Sequence, residues 1–167
     1  LPSGNGRLTP VGTSAMSFTV QVQEADFDVS ELSRALLATS DQIGAMVHFV
    51  GTMRSRNDGA DVTAMTLEHY PGMTERCIEE IVAEARERFG LIAARVVHRV
   101  VRLTPQQQIV FVGVCTSHRH DAFQACDFIM DYLKSRATFW KKEELADGHS
   151  RWVDARQTDS DALTRWS

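Results

Sequence analysis

Residues 131–142 read DYLKSRATFWKK, and the rest of the chain is organised around this stretch. It begins as the end of an amphipathic helix and then sets four cations around two large aromatic side chains. Lys134 and Lys141 are seven positions apart. Continued helical winding would place them on one face, roughly 10 Å apart along the axis. If the helix stops near Thr138, the two lysines can still converge from the helix end and the segment that follows.

Two readings of these cations remain open on spacing alone. Two amines beside Phe139 and Trp140 predict a partly desolvated cationic pocket, in which a lysine pKa can fall and an anion is bound. On spacing alone the same charges are more typical of a solvated basic helix end, where they interact favourably with the helix dipole.

Composition narrows the class of protein. A chain of 167 residues is expected to form one domain with its own core. Its net charge of −4 argues against nucleic-acid binding by the whole surface, so a local basic site indicates a specific anionic ligand. Three cysteines without a CxxC motif indicate reduced thiols, and no apolar run is long enough to span a membrane. We therefore expect a cytoplasmic protein with no membrane partner.

The expected domain organisation has three parts. Residues 1–15 are rich in Gly, Pro, Ser and Thr without periodicity, so they are interpreted as a flexible extension or a segment added before a natural start at Met16. Residues 16–156 are expected to form a single domain. Residues 157–167 are expected to be a polar C-terminal tail.

Hydrophobic periodicity predicts helices interspersed with hairpins, which is typical of the α+β class. Helices are expected after the capping box at Asp28, from Thr74 to a stop at Gly90, and after Arg119 with Asp121 as a cap. Strands are expected over 17–23, 44–53, 62–70, 95–103 and 108–116, with a small hairpin around 147–148. Strands 44–53 and 62–70 are expected to pair as a hairpin that carries Arg54 and Arg56 at its tip.

A second cationic group lies at residues 118–121, where a strand gives way to a helix. Free backbone N–H groups at a helix start attract anions, and Arg119 can add a bidentate fork for phosphate. Ordinary capping with solvated His118 and Arg119 is an equally good interpretation. A metal site is not expected, because no group of carboxylates or thiols with ligand spacing accompanies the histidines. His98, within a strand, is expected to be a structural residue, and Glu143 with Glu144 a solvated face.

Several separate motifs occur in one order between about Ala45 and Arg156: FVGTMR at 49–54, LEHYPGMTE at 67–75, HR at 98–99, SHR at 117–119 with AF at 122–123, MDYLK at 130–134, FWKKE at 139–143 and WVDAR at 152–156. Together they resemble the large, catalytic subunit of molybdopterin synthase, and several motifs in register are far more specific than one pattern match. The resemblance implies an α/β-hammerhead fold with an additional antiparallel β subdomain.

The resemblance also implies an activity and its partners. The family forms a homodimer in which each large subunit binds a small ubiquitin-like sulfur-carrier subunit, giving a heterotetramer. The C-terminal Gly-Gly of the carrier enters the pocket as a thiocarboxylate, and two sulfurs pass to cyclic pyranopterin monophosphate to form the dithiolene of molybdopterin. No catalytic cysteine and no resident cofactor or metal are then needed, and nucleic acid is not an expected partner.

Site residues follow from the same resemblance, position by position. The essential lysines of the family match Lys134 and Lys141. Its anion-binding residues match Arg54, His118 and Arg119, and a further arginine matches Arg156. Family pockets lie near the dimer interface, so some of these residues are expected to serve the site of the neighbouring subunit.

The chain departs from the family pattern in two places. Val100-Val101 replaces the usual Ile-Gly pair of the family, and Pro105-Gln106-Gln107 replaces its Pro-Gly-acid triplet, which predicts a different turn. His120-Asp121 replaces a small polar pair. Two other classes of function remain alternatives: a non-catalytic scaffold that binds the carrier, which intact Lys134 and Lys141 disfavour, and an RNA-binding domain, which the net negative charge disfavours.

Overall fold

A computed structural model describes residues 17–153, 159 and 161–167. The expected extension at 1–15, the start at Met16 and the candidate Arg156 lie outside these residues. The division into 16–156 and 157–167 stays a prediction. No helix within the described ranges is long and apolar enough to cross a membrane.

The described residues form strands and helices in an α+β order. The strands are β1 (Phe18–Gln23), β2 (Ala45–Thr52), β3 (Arg56–Asn57), β4 (Ala60–His69), β5 (Ala93–Arg99), β6 (Arg102–Leu103), β7 (Gln108–Thr116), β8 (Phe139–Leu145) and β9 (Ser150–Val153). The α-helices are α1 (Val29–Leu37), α2 (Met73–Phe89) and α3 (Arg119–Ser135), and a 3-10 helix spans Ala162–Trp166.

The strands are divided between two sheets. The four-stranded sheet has the order β1-β5-β7-β2, with β1 parallel to β5 and the other pairs antiparallel. In the second sheet β4 pairs antiparallel with β3, β6 and β8, and β9 pairs with β8. The predicted fold class, an α/β-hammerhead with an additional antiparallel β subdomain, is confirmed.

The core lies on both faces of the four-stranded sheet, because neighbouring side chains of a strand point in opposite directions. Val96 and Val112 face α2 and α3 and are fully buried with them. Val97 and Phe111 face the other side, where Leu36 of α1 covers them. Because helices cover both faces of this sheet, β5 and β7 are nearly continuous apolar runs in the sequence.

Helix boundaries follow the predicted signals closely. The Asp28 side chain accepts a hydrogen bond from Glu31 N and caps α1. Gly90 ends α2 with φ of +66°, a conformation that glycine adopts without a Cβ clash. The predicted cap at Asp121 is wrong: α3 begins at Arg119 after His118, whose extended backbone occupies the cap position.

The predicted hairpin between 44–53 and 62–70 is wrong. β2 pairs with β7 in the four-stranded sheet, whereas β4 pairs with β8 in the other. A register shift between Gly51 and Thr52 ends β2, and the chain then crosses to the second sheet. There β3 forms a short hairpin with the start of β4. Alternating hydrophobicity predicts each strand but does not specify its partner.

The turn that departs from the family pattern is built around Gln106. Its φ of +76° is a backbone conformation that residues with a side chain rarely adopt. Hydrogen bonds to Met53, just after β2, hold the backbone of the turn. Gln106 N donates to Met53 O at 2.9 Å, and Met53 N donates to Gln107 O at 3.0 Å. The turn therefore fixes the backbone at Met53, just before Arg54, where the chain leaves the four-stranded sheet.

Candidate functional site

A cavity of about 460 Å³ lies between the two sheets and the C-terminal end of α3. Its apolar wall comes from strands of both sheets and from α3: Phe49, Val50, Met53, Met65, Leu67, Ile109, Val110, Met130 and Leu133. Its charged lining consists of Arg54, Arg56, Lys134, Lys141 and Glu143. Four cations facing one carboxylate make the cavity suited to an anionic ligand with an apolar part.

Lys134 and Lys141 reach this cavity from two consecutive elements. Lys134 lies in the last turn of α3, which ends at Ser135 with Arg136 N donating to Tyr132 O at 2.7 Å. Lys141 lies on β8, opposite Leu67 of β4. The lysines thus converge from a helix end and the strand after it. The pocket interpretation of residues 131–142 describes their placement better than a solvated helix end does.

The connection between the two lysines is fixed by α2. Thr74 is fully buried, and its hydroxyl donates to Thr138 O at 3.0 Å. The same hydroxyl accepts a hydrogen bond from Tyr70 N at 3.0 Å. Because this threonine ties the start of α2 to the segment between α3 and β8, it limits how far Lys134 and Lys141 can separate.

The remaining candidates fall into two groups. Arg54 lines the cavity just beyond β2. His118 and Arg119 are exposed at the opposite end of α3 and do not line it. Fifteen residues of helix separate Arg119 from Lys134, a distance of about 22 Å along the axis. One copy of the chain therefore does not bring His118 and Arg119 to its own lysines. Arg156 lies outside the described residues.

His98 is a cavity residue that sequence reasoning did not select. Its ring stacks on Phe139, with centroids 3.8 Å apart, and its Nδ1 lies 3.0 Å from the backbone carbonyl oxygen of Arg99. Burial lowers the pKa of His98 to about 4, against the opposing effect of the Arg99 hydrogen bond, and the charges of Lys134 and His69 lower it further. The sequence around a strand histidine does not indicate that the residue lines a cavity, because the cavity is formed by strands that are distant along the chain.

The buried state of His98 predicts a specific pH dependence of stability. Its folded pKa lies near 4, below the ordinary value of 6.5, so protonation favours the unfolded chain. The contribution is complete above pH 6.5 and is lost as the pH falls from 6.5 towards 4. We expect the free energy of unfolding to drop by up to about 3 kcal/mol across this window. Urea denaturation at a series of pH values measures it. His98→Gln should remove this component, and an unchanged pH profile in that variant would contradict the assignment.

Glu143 is the second cavity residue that sequence reasoning did not select. Its side chain is 3% exposed, and its carboxylate accepts hydrogen bonds from Asn57 Nδ2 and Arg151 Nε, each at 2.9 Å. Arg151 also donates to Asn57 O at 2.9 Å. The carboxylate thus joins β3, β8 and β9 behind Lys141. Glu144 points to the other face of β8 and pairs with exposed Arg102. The prediction of a solvated face is therefore correct for Glu144 and wrong for Glu143.

The two neighbouring glutamates make a matched test of stability. Glu143→Ala leaves the Arg151 guanidinium and the Asn57 amide without their buried acceptor, and we expect the free energy of unfolding to fall by about 2–4 kcal/mol. Glu144→Ala removes only an exposed pair with Arg102 and is expected to leave the free energy of unfolding nearly unchanged. Urea denaturation of both variants measures the difference. Equal losses would show that Glu143 does not brace the three strands.

The described residues contain no group of three or more His, Cys, Asp or Glu side chains that could hold a metal ion. Their three cysteines are free, and none lines the cavity. Burial raises the pKa of Cys115 to about 11 and that of Cys126 to about 12, so neither is a thiolate at neutral pH. The site offers cations and hydrogen-bond donors, and none of these cysteines supplies it with a thiolate.

Comparison with known proteins gives consistent matches. The profile of the family described as MoaE protein matches residues 22–136. A molybdopterin synthase catalytic subunit of Ralstonia nicotianae is 57% identical over 148 residues, which are 89% of this chain and 84% of that protein. A solved structure of a molybdopterin biosynthesis MoaE protein from Burkholderia ambifaria has a TM-score of 0.77 and 53% identity, and the match covers 89% of this chain and 97% of that one.

A more distant structure shares the fold. It is a complex of subunits 1 and 2 of the molybdopterin-converting factor from Helicobacter pylori, with a TM-score of 0.66 and 17% identity over 83% of this chain and 90% of that one.

Proposed function

The chain belongs to the MoaE family of molybdopterin synthase catalytic subunits, and on that premise we propose that it is a sulfurtransferase that acts with a small ubiquitin-like carrier. The donor is the thiocarboxylate at the Gly-Gly terminus of the carrier. The acceptor is cyclic pyranopterin monophosphate, and two transfers build the dithiolene of molybdopterin. One observation carries the proposal: Lys134, Lys141 and Arg54 line a single cavity.

The chemistry of this cavity suits both reactants. A thiocarboxylate and a cyclic phosphate are anions, and the lining provides four cations, of which Arg56 is paired with Asp61, against one carboxylate that Asn57 and Arg151 already satisfy. A Gly-Gly terminus has no side chains and therefore needs little room. Gly51 lies on the cavity wall, packed so closely on Val110 that a Cβ there would lie 2.8 Å from a methyl group of Val110. Since the sulfur arrives on the carrier, the cavity needs no cysteine.

We assign the roles of the two lysines by their positions. Lys141, half-buried on β8 among the apolar walls, polarises the reacting centre or transfers a proton there. Lys134, exposed at the end of α3, holds the carrier terminus and the substrate. Each transfer forms a carbon–sulfur bond on the substrate in place of a carbon–oxygen bond, whose oxygen leaves as water or stays with the opened phosphate ester. It also breaks the acyl carbon–sulfur bond of the carrier, whose terminus is left as a carboxylate once water supplies the oxygen.

Of the candidate anion-binding residues, His118 and Arg119 reach a pair of cavity lysines only with a second copy of the chain. We propose that Arg54 binds substrate phosphate or pterin in its own cavity, and that His118 and Arg119 complete the cavity of the neighbouring subunit. Arg156 is proposed as a further substrate ligand on family resemblance alone. The assembly is then a homodimer of large subunits within a heterotetramer. It operates in the cytoplasm, where free cysteines such as those of this chain are maintained.

The test is a single-turnover reaction of the purified chain with thiocarboxylated carrier and cyclic pyranopterin monophosphate. Formation of the dithiolene product, read as a sulfur-containing pterin by mass spectrometry, is the expected result. Tight carrier binding without product would instead indicate the alternative function, a scaffold that binds the carrier. Carrier that retains a plain carboxylate terminus is the matched control and should give no product.

A further inference from the structure

The inference concerns Asp131, a carboxylate of α3 that has no role in the activity proposed above. Its side chain is 14% exposed, and its Oδ2 accepts three hydrogen bonds from the 3-10 helix at Ala162–Trp166. Arg165 Nη2 donates at 2.5 Å, Trp166 Nε1 at 2.7 Å and Arg165 Nε at 3.1 Å. Arg165 also pairs with Asp127 Oδ1, one turn earlier on α3, at 2.8 Å. The 3-10 helix therefore surrounds the Asp131 carboxylate with donors.

Contacts that do not involve Asp131 hold the 3-10 helix in place. The Trp166 ring packs edge-to-face on Phe128 of α3 and Phe89 of α2, with ring centroids 5.3 and 5.9 Å away. The guanidinium carbon of Arg88, on α2, lies 5.5 Å from the centroid of the Trp166 ring, and Arg88 Nη1 donates to Trp166 O at 2.7 Å. The donors to Asp131 are therefore presented by a segment that both helices anchor.

Asp131 lies three positions before Lys134 on the same helix. Side chains three residues apart are neighbours on a helix surface, with Cβ atoms about 5–6 Å apart, and an acid that precedes a lysine at this spacing attracts it. Both residues line a groove of about 470 Å³ between α3 and β2. Lys134 lines the central cavity as well, so it lies on the border between the two. Helix spacing therefore offers Lys134 a carboxylate on the groove side.

The structure shows the competing arrangement. Among the described residues Asp131 forms its ion pair with Arg165, and no ion pair joins it to Lys134. Three donors occupy the lone pairs of Oδ2. The bound guanidinium also places a positive charge beside the carboxylate, which weakens the attraction of Asp131 for a second cation. The Lys134 ammonium is thereby left to interact with an anion in the cavity.

We propose that Arg165 and Trp166 are positioning residues. They neutralise and saturate Asp131, so that Lys134 is not drawn into an ion pair along α3 and stays directed to the cavity. Both act on Lys134 through Asp131. This inference deepens the proposed function and rests on it only for the identity of the anion that Lys134 binds. Competition between Arg165 and Lys134 for one carboxylate does not depend on that identity.

Three variants separate this role from a purely structural one. Arg165→Met removes the charge and the donors, which leaves Asp131 able to pair with Lys134. Asp131→Asn removes the carboxylate charge and keeps an oxygen that can accept from Trp166 Nε1. The double variant has neither the guanidinium nor the carboxylate. If Arg165 only anchors its segment, the double variant is at least as defective as Arg165→Met. If Arg165 shields Lys134 from Asp131, the double variant recovers.

The first readout is the acetylation rate of Lys134 on the purified chain at fixed pH, measured by mass spectrometry with Lys142 as the internal reference. An ion pair with Asp131 favours the unreactive ammonium form. Arg165→Met should therefore slow acetylation of Lys134 by about two- to fivefold, the size expected of one exposed ion pair, and the double variant should return to the wild-type rate. An equal or faster rate in Arg165→Met, or no return in the double variant, would overturn the inference.

The second readout is the single-turnover rate of sulfur transfer at carrier concentrations below saturation. We expect Arg165→Met to lose about two- to fivefold through weaker binding of the carrier terminus, and the double variant to stay within about twofold of the wild type. A loss that persists in the double variant would overturn the positioning role. An absence of transfer in the wild type would count against the proposed function. The acetylation result needs neither carrier nor substrate and would then decide this inference.

A third measurement, urea denaturation, guards against an effect of stability alone. Arg165→Met and Asp131→Asn break the same ion pair, so we expect both single variants to be destabilised to a similar extent. Only Arg165→Met should lose transfer, because Asp131→Asn leaves no carboxylate to compete for Lys134. Equal losses of transfer in the two single variants would overturn the inference.

Discussion

Replacing Lys141 with alanine is expected to lower the single-turnover rate of sulfur transfer by about 100- to 1,000-fold, the usual loss when a group that stabilises developing charge is removed. The reason is the place of this amine in the cavity. It is half-buried on β8 between the apolar walls, where an ammonium interacts with a reacting anion far more strongly than it does in water. Binding of the carrier should weaken much less than the rate.

The next residue along the strand provides the matched control. Lys142 has the same side chain but points to the opposite face of β8, where its Nζ lies 5.8 Å from the ring centroid of Trp152. Lys142→Ala is expected to retain the rate within about threefold, since exposed charges away from a site contribute little. Mass spectrometry of the pterin product measures both variants. Full transfer by both Lys141→Ala and Lys134→Ala would refute the roles assigned to the two lysines.

The elements of this fold could be predicted because their signals are local. Asp28 caps a helix through a contact three residues away, and Gly90 ends one through its own backbone conformation. The pairing of β2 was not predictable in this way. β2 and β4 are separated in the sequence only by the two-residue β3, and both are rich in apolar residues, yet a register shift after Gly51 ends β2 and the chain crosses to another sheet. A partner at residues 108–116 is invisible to any short window.

The site shows the same division. Lys134 and Lys141 lie within one short stretch, so the sequence limited them to two arrangements, and the helix end at Ser135 decides between these. Glu143 and His98 were missed because their environment comes from elsewhere in the chain. Burial of Glu143 depends on Asn57 and Arg151, which reach it from β3 and β9. Alternation along β8 was the available signal: Glu143 shares the face of Lys141.

The second large effect concerns His118 and Arg119, which lie about 22 Å of helix away from Lys134 in the same chain. If they complete the cavity of a neighbouring copy, Lys141→Ala and Arg119→Ala damage different halves of one composite site. Each variant alone should lose nearly all transfer. A mixed dimer has one cavity with both lesions and one with none. After the subunits exchange, half the dimers are mixed, and one of the two cavities in each mixed dimer is intact. About a quarter of all cavities should therefore be active, and the amount of product should recover to about a quarter of the wild-type value.

A second pair of variants shows why recovery would be specific to a shared site. His118→Ala and Arg119→Ala damage the same half, so every cavity in their mixed dimer carries one lesion and no recovery is expected. The measurement is the burst amplitude of product after the variants are co-refolded or co-expressed, compared with each variant alone. A site confined to one chain predicts no recovery for either mixture, since every copy would then carry its own lesion. Recovery in the first mixture and not in the second requires that α3 of one subunit reach the lysines of the other.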